Sequence, residues 1–255
     1  MSNSRDLVSL ARPWLSAVAG TARELAARGW AEANAGNLSL RIAAPAGPRG
    51  RPIELPVPVE PLAGQCLLIK RAGVRMRDLA RCPSDGLCAV TVGRDGTARL
   101  IGDSPSSELA AHLAAHAVLV RFKPADRVFL HTHPTNLAAL SLIVGNRSLP
   151  GLLVRMHTEA PVLLQGLITA LPVYPPGSLA LARATARALR RFRAVVWASH
   201  GLAASAPDLA AALDLVELAE KCATIALLTG SRAANRVGLS STQRHSIRRA
   251  FNLDP

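Results

Sequence analysis

Aromatic residues make up only 3% of this 255-residue chain. Proteins that hold single-stranded nucleic acid use aromatic side chains as stacking platforms, and this chain has no set of them to offer. Lysine is nearly missing as well. Lys70, Lys123 and Lys221 are the whole complement, so arginine carries almost all of the positive side of a formal net charge of +13. The arginines fall in short, scattered clusters near 49–51, 71–77, 187–193 and 244–249. Dispersed charge of this kind steers anionic metabolites more readily than it builds a nucleic-acid groove, so no nucleic-acid partner is expected. The four cysteines, Cys66, Cys82, Cys88 and Cys222, show no CxxC spacing and read as reduced thiols of a cytoplasmic protein. No apolar run reaches the roughly 18 uncharged residues of a membrane helix. The opening MSNSRDLVSLARPW lacks the charged leader, apolar core and cleavage site of a secretory signal. A soluble, cytoplasmic chain with no membrane partner is the expectation.

What is present is apolar material in quantity, 49% of the residues, enough for one large domain or two small ones. Apolar spacing predicts a helix over 6–29 stopping at Arg28-Gly29. NAGNLSLRI (34–42) reads as a turn entering a short alternating strand, and 43–65 as an irregular loop with a short β edge. QCLLIK (65–70) is a buried strand, and LCAVTV, GRDG and TARLI form a hairpin. A helix over 105–122 is capped by Ser106 or Ser107. DRVFLHTH is a strand, with a helix starting after Pro134. PVLLQG (161–166) lies between loops, 179–192 is a helix, AVVWASHG a strand, and 207–230 a long helix ended by Gly230. The last 25 residues are basic and poorly patterned. Strands and helices mix without strict βαβ alternation, which indicates an α/β sandwich with a largely antiparallel sheet.

Two segments carry chemistry. In VFLHTHP the two imidazoles stand at i and i+2 of a strand and project to one face. His131 and His133 are then half of a divalent-metal site, or simply two polar residues where a strand runs out. VVWASHG ends a second short strand at His200. Two strand ends of one sheet can bring the three histidines together, and three imidazoles with an open position are what a catalytic zinc site requires. Glu108 lies in the first turn of a helix, where a carboxylate is electrostatically at home whether or not it is catalytic. Glu159, in MHTEAP, has no helical context and reads alone as a solvated residue. His112 and His116 share the Glu108 face at four-residue spacing and read as exposed or packing residues rather than a rival metal pair. The residues alone indicate a three-histidine divalent-metal enzyme of open mechanism.

The segments NAGNLSLR (34–41), PSSELAAH (105–112), DRVFLHTHPTNLAALS (126–141) and VVWASHGLAASAPDLAAALDLVELAEK (195–221) resemble the class II aldolase/adducin superfamily, in order and over about 12–230. The resemblance implies one α/β/α sandwich domain over 1–255, with 231–255 as a basic tail. It implies zinc (Zn2+, one per chain) on His131, His133 and His200. Glu108 becomes the carrier of the carbon-bound proton, and Glu159 serves the aldehyde oxygen. Asn34, Gly36 and Asn37 form a donor turn for the ketose phosphate. A second phosphate turn falls at Arg71 and Gly73, where the family's serine is absent, with Ser107 as a remaining donor. The implied reaction is reversible cleavage of a ketose 1-phosphate, such as rhamnulose 1-phosphate, to dihydroxyacetone phosphate and an aldehyde such as lactaldehyde. Zinc would stabilise the enediolate, in a homotetramer with active sites near subunit interfaces. Alternatives within the superfamily are a sugar-phosphate epimerase or dehydratase, and a non-catalytic adducin-like interaction domain.

Overall fold

A computed structural model describes residues 2–47, 49–230 and 238–253. The chain opens with two helices, α1 (Ser2–Ala11) and α2 (Leu15–Ala27), where the apolar spacing predicts one. Pro13 separates them in a 3-10 turn, because its ring removes an amide donor and blocks continuous α-helical bonding. Gly29, at φ +69, ends α2 in the left-handed region. Strands β1 (Asn37–Ala43), β2 (Arg51–Pro52) and β3 (Gln65–Lys70) follow. Next come α3 (Met76–Arg81), β4 (Leu87–Val92) and β5 (Ala98–Ile101). After α4 (Leu109–Phe122) and β6 (Val128–Thr132) stand three helices, α5 (Thr135–Ile143), α6 (Leu149–Leu153) and α7 (Ala160–Leu163). The chain continues through β7 (Ile168–Leu171), α8 (Leu179–Leu189), β8 (Ala194–Trp197), β9 (Gly201–Ala206) and α9 (Leu209–Leu228).

The strands form one sheet in the order β2-β5-β4-β3-β1-β6-β9-β8-β7. Every pairing is antiparallel except β7 with β8. The fold is therefore an α/β sandwich with a mixed, mostly antiparallel sheet, as the sequence indicates. Strands β3, β4, β6, β8 and β9 are buried almost throughout, and the first five residues of β1 likewise, so the expected alternation in β1 is absent. Both faces of the sheet are covered. Leu38, Leu40, Val128 and Leu130 join the core that includes Leu25 of α2 and Leu209 and Val216 of α9. Phe129, Val195 and Trp197 pack on the opposite side with Ala111 and Ala115 of α4 and Leu181 of α8.

Strands that precede β6 in the chain lie on one side of the β1–β6 pair, and those that follow it lie on the other. Along this seam Asn37 stands opposite His131, and Ser39 opposite Phe129. Directly opposed residues of an antiparallel pair share a face, so the seam alone puts Asn37 beside a candidate metal ligand.

The C-terminal residues hold more order than their composition suggests. A helix spans Ser241–Ala250, started by a capping box between Ser240 and Gln243. Arg248 Nη1 donates to the Pro161 carbonyl at 2.9 Å, which ties this helix to α7. Residues 231–237 of the expected tail lie outside the described residues. Among the described residues no helix is long and apolar enough to cross a membrane.

Candidate metal centre and acid–base site

The three histidines reach one point by different routes. β6 ends at Thr132, whose hydroxyl donates to the Trp30 carbonyl at 2.5 Å, and the His133 amide donates to the same carbonyl at 2.8 Å. Pro134 then stops the strand, and α5 begins with its first amides held by a buried carboxylate from α9. Asn136 N and Leu137 N donate to Glu220 at 2.9 and 2.7 Å. A carboxylate at a helix N-terminus meets both the orphan amides and the dipole. His200 sits in the tight turn between β8 and β9. Ser199 is left-handed there at φ +60, and its amide donates to Ser141 Oγ at 2.8 Å. Gly201 must follow, since a Cβ would run into the Thr132 carbonyl and press on the His133 ring.

Ligating atoms of His131, His133 and His200 all lie within 4.8 Å of one another. His131 Nδ1 donates to the Leu202 carbonyl at 3.1 Å, and His133 Nδ1 to Glu32 Oε1 at 2.7 Å. Each partner is an acceptor only, so each ring carries its hydrogen on Nδ1 and presents a bare Nε2. Those two Nε2 atoms stand 3.1 Å apart. Two lone pairs so close repel unless a cation lies between them. Burial is the main cause that holds His131 well below the ordinary histidine range, so its ring is neutral. Burial together with His133 brings His200 down to about 4. Neutral imidazoles with ligand bond lengths of roughly 2 Å suit a divalent metal, so the residues present fit the ion the pattern implies.

Glu108 lies beside them. Its Oε2 is 3.7 Å from His131 Nε2 and its Oε1 is 3.9 Å from His200 Nε2. Burial raises its pKa, opposed by the hydrogen bond from Asn37 Nδ2 at 2.8 Å and by the Lys70 charge. Neither expected serine caps α4. Glu108 itself occupies the N-cap with no side-chain cap bond, because its carboxylate turns into the site, and Ser106 Oγ only receives the Glu108 amide at 3.3 Å.

These groups border a cavity of about 320 Å³, lined by Asn34–Asn37, Lys70–Gly73, Ser106–Glu108 and the three histidines. The size suits a small ligand. Asn34, Gly36, Arg71, Gly73 and Ser107 all border this cavity. Gly36, at φ +67, also leaves room for the His131 carbonyl and the Ala31 side chain. Asn37 lines the same space, but its amide is committed to Glu108 and His112. Arg71 is tied to Asp103 and to the Asp85 carbonyl. Lys70, fully buried, sends its ammonium to the carbonyls of Asn34 at 2.9 Å and Val74 at 2.6 Å, joining the two turns from beneath. Burial lowers its pKa to about 8, while Glu108 opposes the fall.

Glu159 is not among the cavity residues of its own chain. It is exposed at the start of α7, with its amide donating to His157 Nδ1. His112 and His116, expected to be exposed or merely packed, are fully buried and hydrogen-bonded to Ser39. Sequence reasoning missed Glu32 and Ser39 as members of this site. Only a long-range pairing reveals them.

The family model described as Class II Aldolase and Adducin N-terminal domain matches residues 16–227. Rhamnulose-1-phosphate aldolase of Yersinia pestis (strain Pestoides F) is 32% identical over 245 residues, covering 89% of each chain. A sugar-phosphate aldolase from Thermotoga maritima superposes with a TM-score of 0.71 at 30% identity, covering 86% of this chain and 97% of its own. L-Fuculose-1-phosphate aldolase from Thermus thermophilus, at 24% identity, shares the fold with a TM-score of 0.57 over 84% and 92% of the two chains.

Proposed function

The chain belongs to the class II aldolase and adducin family, and from that premise we propose a zinc-dependent aldolase that cleaves a ketose 1-phosphate to dihydroxyacetone phosphate and an aldehyde. The observation that carries this reading is the pair of bare Nε2 atoms 3.1 Å apart, with the buried Glu108 carboxylate 3.7 Å from one of them. Rhamnulose 1-phosphate is the first substrate to test, because the Yersinia relative is named for it.

His131, His133 and His200 would hold the divalent ion, which when bound would supply Lewis acidity toward the ketose carbonyl. The protein groups do the rest. Asn34, Ser107 and the turn at Arg71–Gly73 hold the phosphate, with the Lys70 ammonium as positive charge beneath them. Glu159 takes the proton from the hydroxyl that becomes the aldehyde oxygen. As the carbon–carbon bond breaks, its electron pair passes to the dihydroxyacetone phosphate carbon, and Glu108 delivers a proton there. A carboxyl whose pKa is raised by burial holds that proton at neutral pH better than an exposed one. Since Glu159 stands outside its own chain's cavity, it serves from a neighbouring copy in a homo-oligomer.

The test is a retro-aldol assay on rhamnulose 1-phosphate, coupled to reduction of the dihydroxyacetone phosphate formed, with and without chelator. Turnover that chelator abolishes and zinc restores supports the reading. With one zinc bound per chain, no turnover on a panel of ketose 1-phosphates sinks it. Epimerised or dehydrated products in the same panel assign a sibling reaction.

A further inference from the structure

We propose that His112, backed by Ser39 and His116, is a positioning residue that fixes the amide of Asn37 and, through it, the Glu108 carboxylate. The inference rests on the reading of Glu108 as proton carrier. It answers why helix α4, packed against the sheet among alanines and leucines, spends two core positions on imidazoles.

The hydrogen bonds run in one direction. Glu108 Oε2 accepts both in the carboxylate and when the carboxyl carries its proton on Oε1, so Asn37 turns Nδ2 toward it at 2.8 Å and leaves Oδ1 toward His112 Nε2 at 2.5 Å. That oxygen also only accepts, so His112 carries its hydrogen on Nε2. A neutral imidazole has one hydrogen, so Nδ1 is bare and receives the Ser39 hydroxyl at 2.6 Å. The Ser39 oxygen then accepts from His116 Nε2 at 2.8 Å. His116 Nδ1 must be bare in its turn, and it is a buried atom with no hydrogen-bond partner among the described residues. Burial also keeps both rings neutral, His112 at about 3 and His116 well below the ordinary range, as the chain of bonds demands. Ser39, His112 and His116 are entirely enclosed, and Asn37 and Glu108 nearly so.

A metal pair is the other chemistry open to two histidines four apart on a helix. Here Ser39 Oγ occupies the point between them, and no third ligand joins them in a metal-binding group among the described residues. An asparagine amide can face either way, and the Glu108 acceptor and the His112 donor together make one orientation better than the other. With Oδ1 turned to Glu108, two acceptors would oppose each other in a buried site. The His112 ring is itself fixed by an edge contact to Phe129, their centroids 4.9 Å apart. The chain therefore anchors the carboxylate to the helix and the seam of the sheet together.

Three measurements test this. In 15N NMR of the imidazoles at pH 7, both His112 and His116 should be neutral with hydrogen on Nε2, with metal bound or removed. Hydrogen on Nδ1 of either ring, or a cationic ring, overturns the proposal without any reference to substrate. A crystal structure of His112→Phe should show the Asn37 amide turned or Glu108 moved from its 3.7 Å approach to His131, with metal content unchanged. An unmoved pair overturns it. In the aldolase assay His112→Phe should keep KM within about threefold and lose kcat by roughly 10–100-fold, the scale of a small misplacement of a reacting group. His112→Gln, which can place an N–H near the Nε2 position, should recover most of that. A wild-type kcat in His112→Phe, or a loss confined to KM, refutes the idea. If His112→Phe does not fold, Ser39→Ala takes its place, with the same direction of change expected and a wild-type kcat again refuting. Should wild type turn over no ketose phosphate, the aldolase reading fails, while the NMR and crystal results still decide the positioning role.

Discussion

Replacing Glu32 should loosen the metal without touching a ligand. Its carboxylate receives the His133 Nδ1 hydrogen at 2.7 Å and so holds that ring with Nε2 toward the cluster. Burial pushes the Glu32 pKa up, but the hydrogen bonds from His133 and from its own backbone bring the net below the ordinary value. Partners of this kind change metal affinity by roughly 10–100-fold when removed. The Glu32 side chain is 65% exposed and His133 is 18% exposed, so solvent screens the charge and places the effect at the lower end. Glu32→Ala should therefore weaken zinc binding by about tenfold, or about 1.4 kcal/mol. Glu32→Gln keeps an acceptor at the same reach and should lose only about two- to threefold, under ~1 kcal/mol. The assay is competition between apo-protein and a chromophoric chelator at pH 7. Glu32→Ala binding within twofold of wild type, or Glu32→Gln as weak as Glu32→Ala, would refute the orienting role.

Chelation of the metal should lower the thermal midpoint, since a ligand at 100 times its Kd stabilises by about 2.7 kcal/mol; an unchanged midpoint in differential scanning calorimetry argues against a folded-state site. Acid should destabilise the protein from below about pH 6.5. His112 has a folded pKa near 3, so between these limits the unfolded chain binds the extra proton. Stability is intact above the unfolded value and falls as pH drops, by up to about 1.4 kcal/mol per pH unit for this one group; urea titrations of wild type and His112→Phe at pH 5 and 7 check the slope. Inhibition by a phosphate ester should weaken as pH rises through about 8, where Lys70 loses its charge, and Lys70→Met should remove that step. Glu108→Gln and Glu159→Gln, each inactive alone, should regain activity when unfolded together and reassembled; recovery no greater than background would exclude Glu159 acting across subunits.

The two segments of the candidate metal centre are plain in the sequence because each histidine group ends a short apolar strand. Strand β9 is hidden beside them. GLAASA has no β-branched or aromatic residue, so its sheet position follows from pairing with β6 and β8 and not from propensity. Helix α3 is six residues within an arginine-rich loop and leaves no periodic signal. The start of α4 defeats a local reading, because the serine pair signals a cap while Glu108 is drawn off by Asn37, 71 positions away. Ser39 meets His112 and His116 across similar separations. Buried polar contacts of that range have no local signature. Glu159 is different again: the residue is easy to find in MHTEAP, but its proposed use depends on a second copy of the chain.

The seam between β1 and β6 has a consequence for how such an enzyme changes its diet. Every turn proposed to grip the phosphate handle, at 34–37, 71–73 and 106–107, precedes the seam's second strand in the chain, and every imidazole of the metal cluster lies on that strand or after it. On the proposed reading, the half that would recognise the phosphate can be retailored, one loop at a time, while the half that would polarise the carbonyl stays as it is. Ala72, where the resemblance implies a serine, would be a change of this first sort. It re-cuts the glove and leaves the tool in the hand untouched.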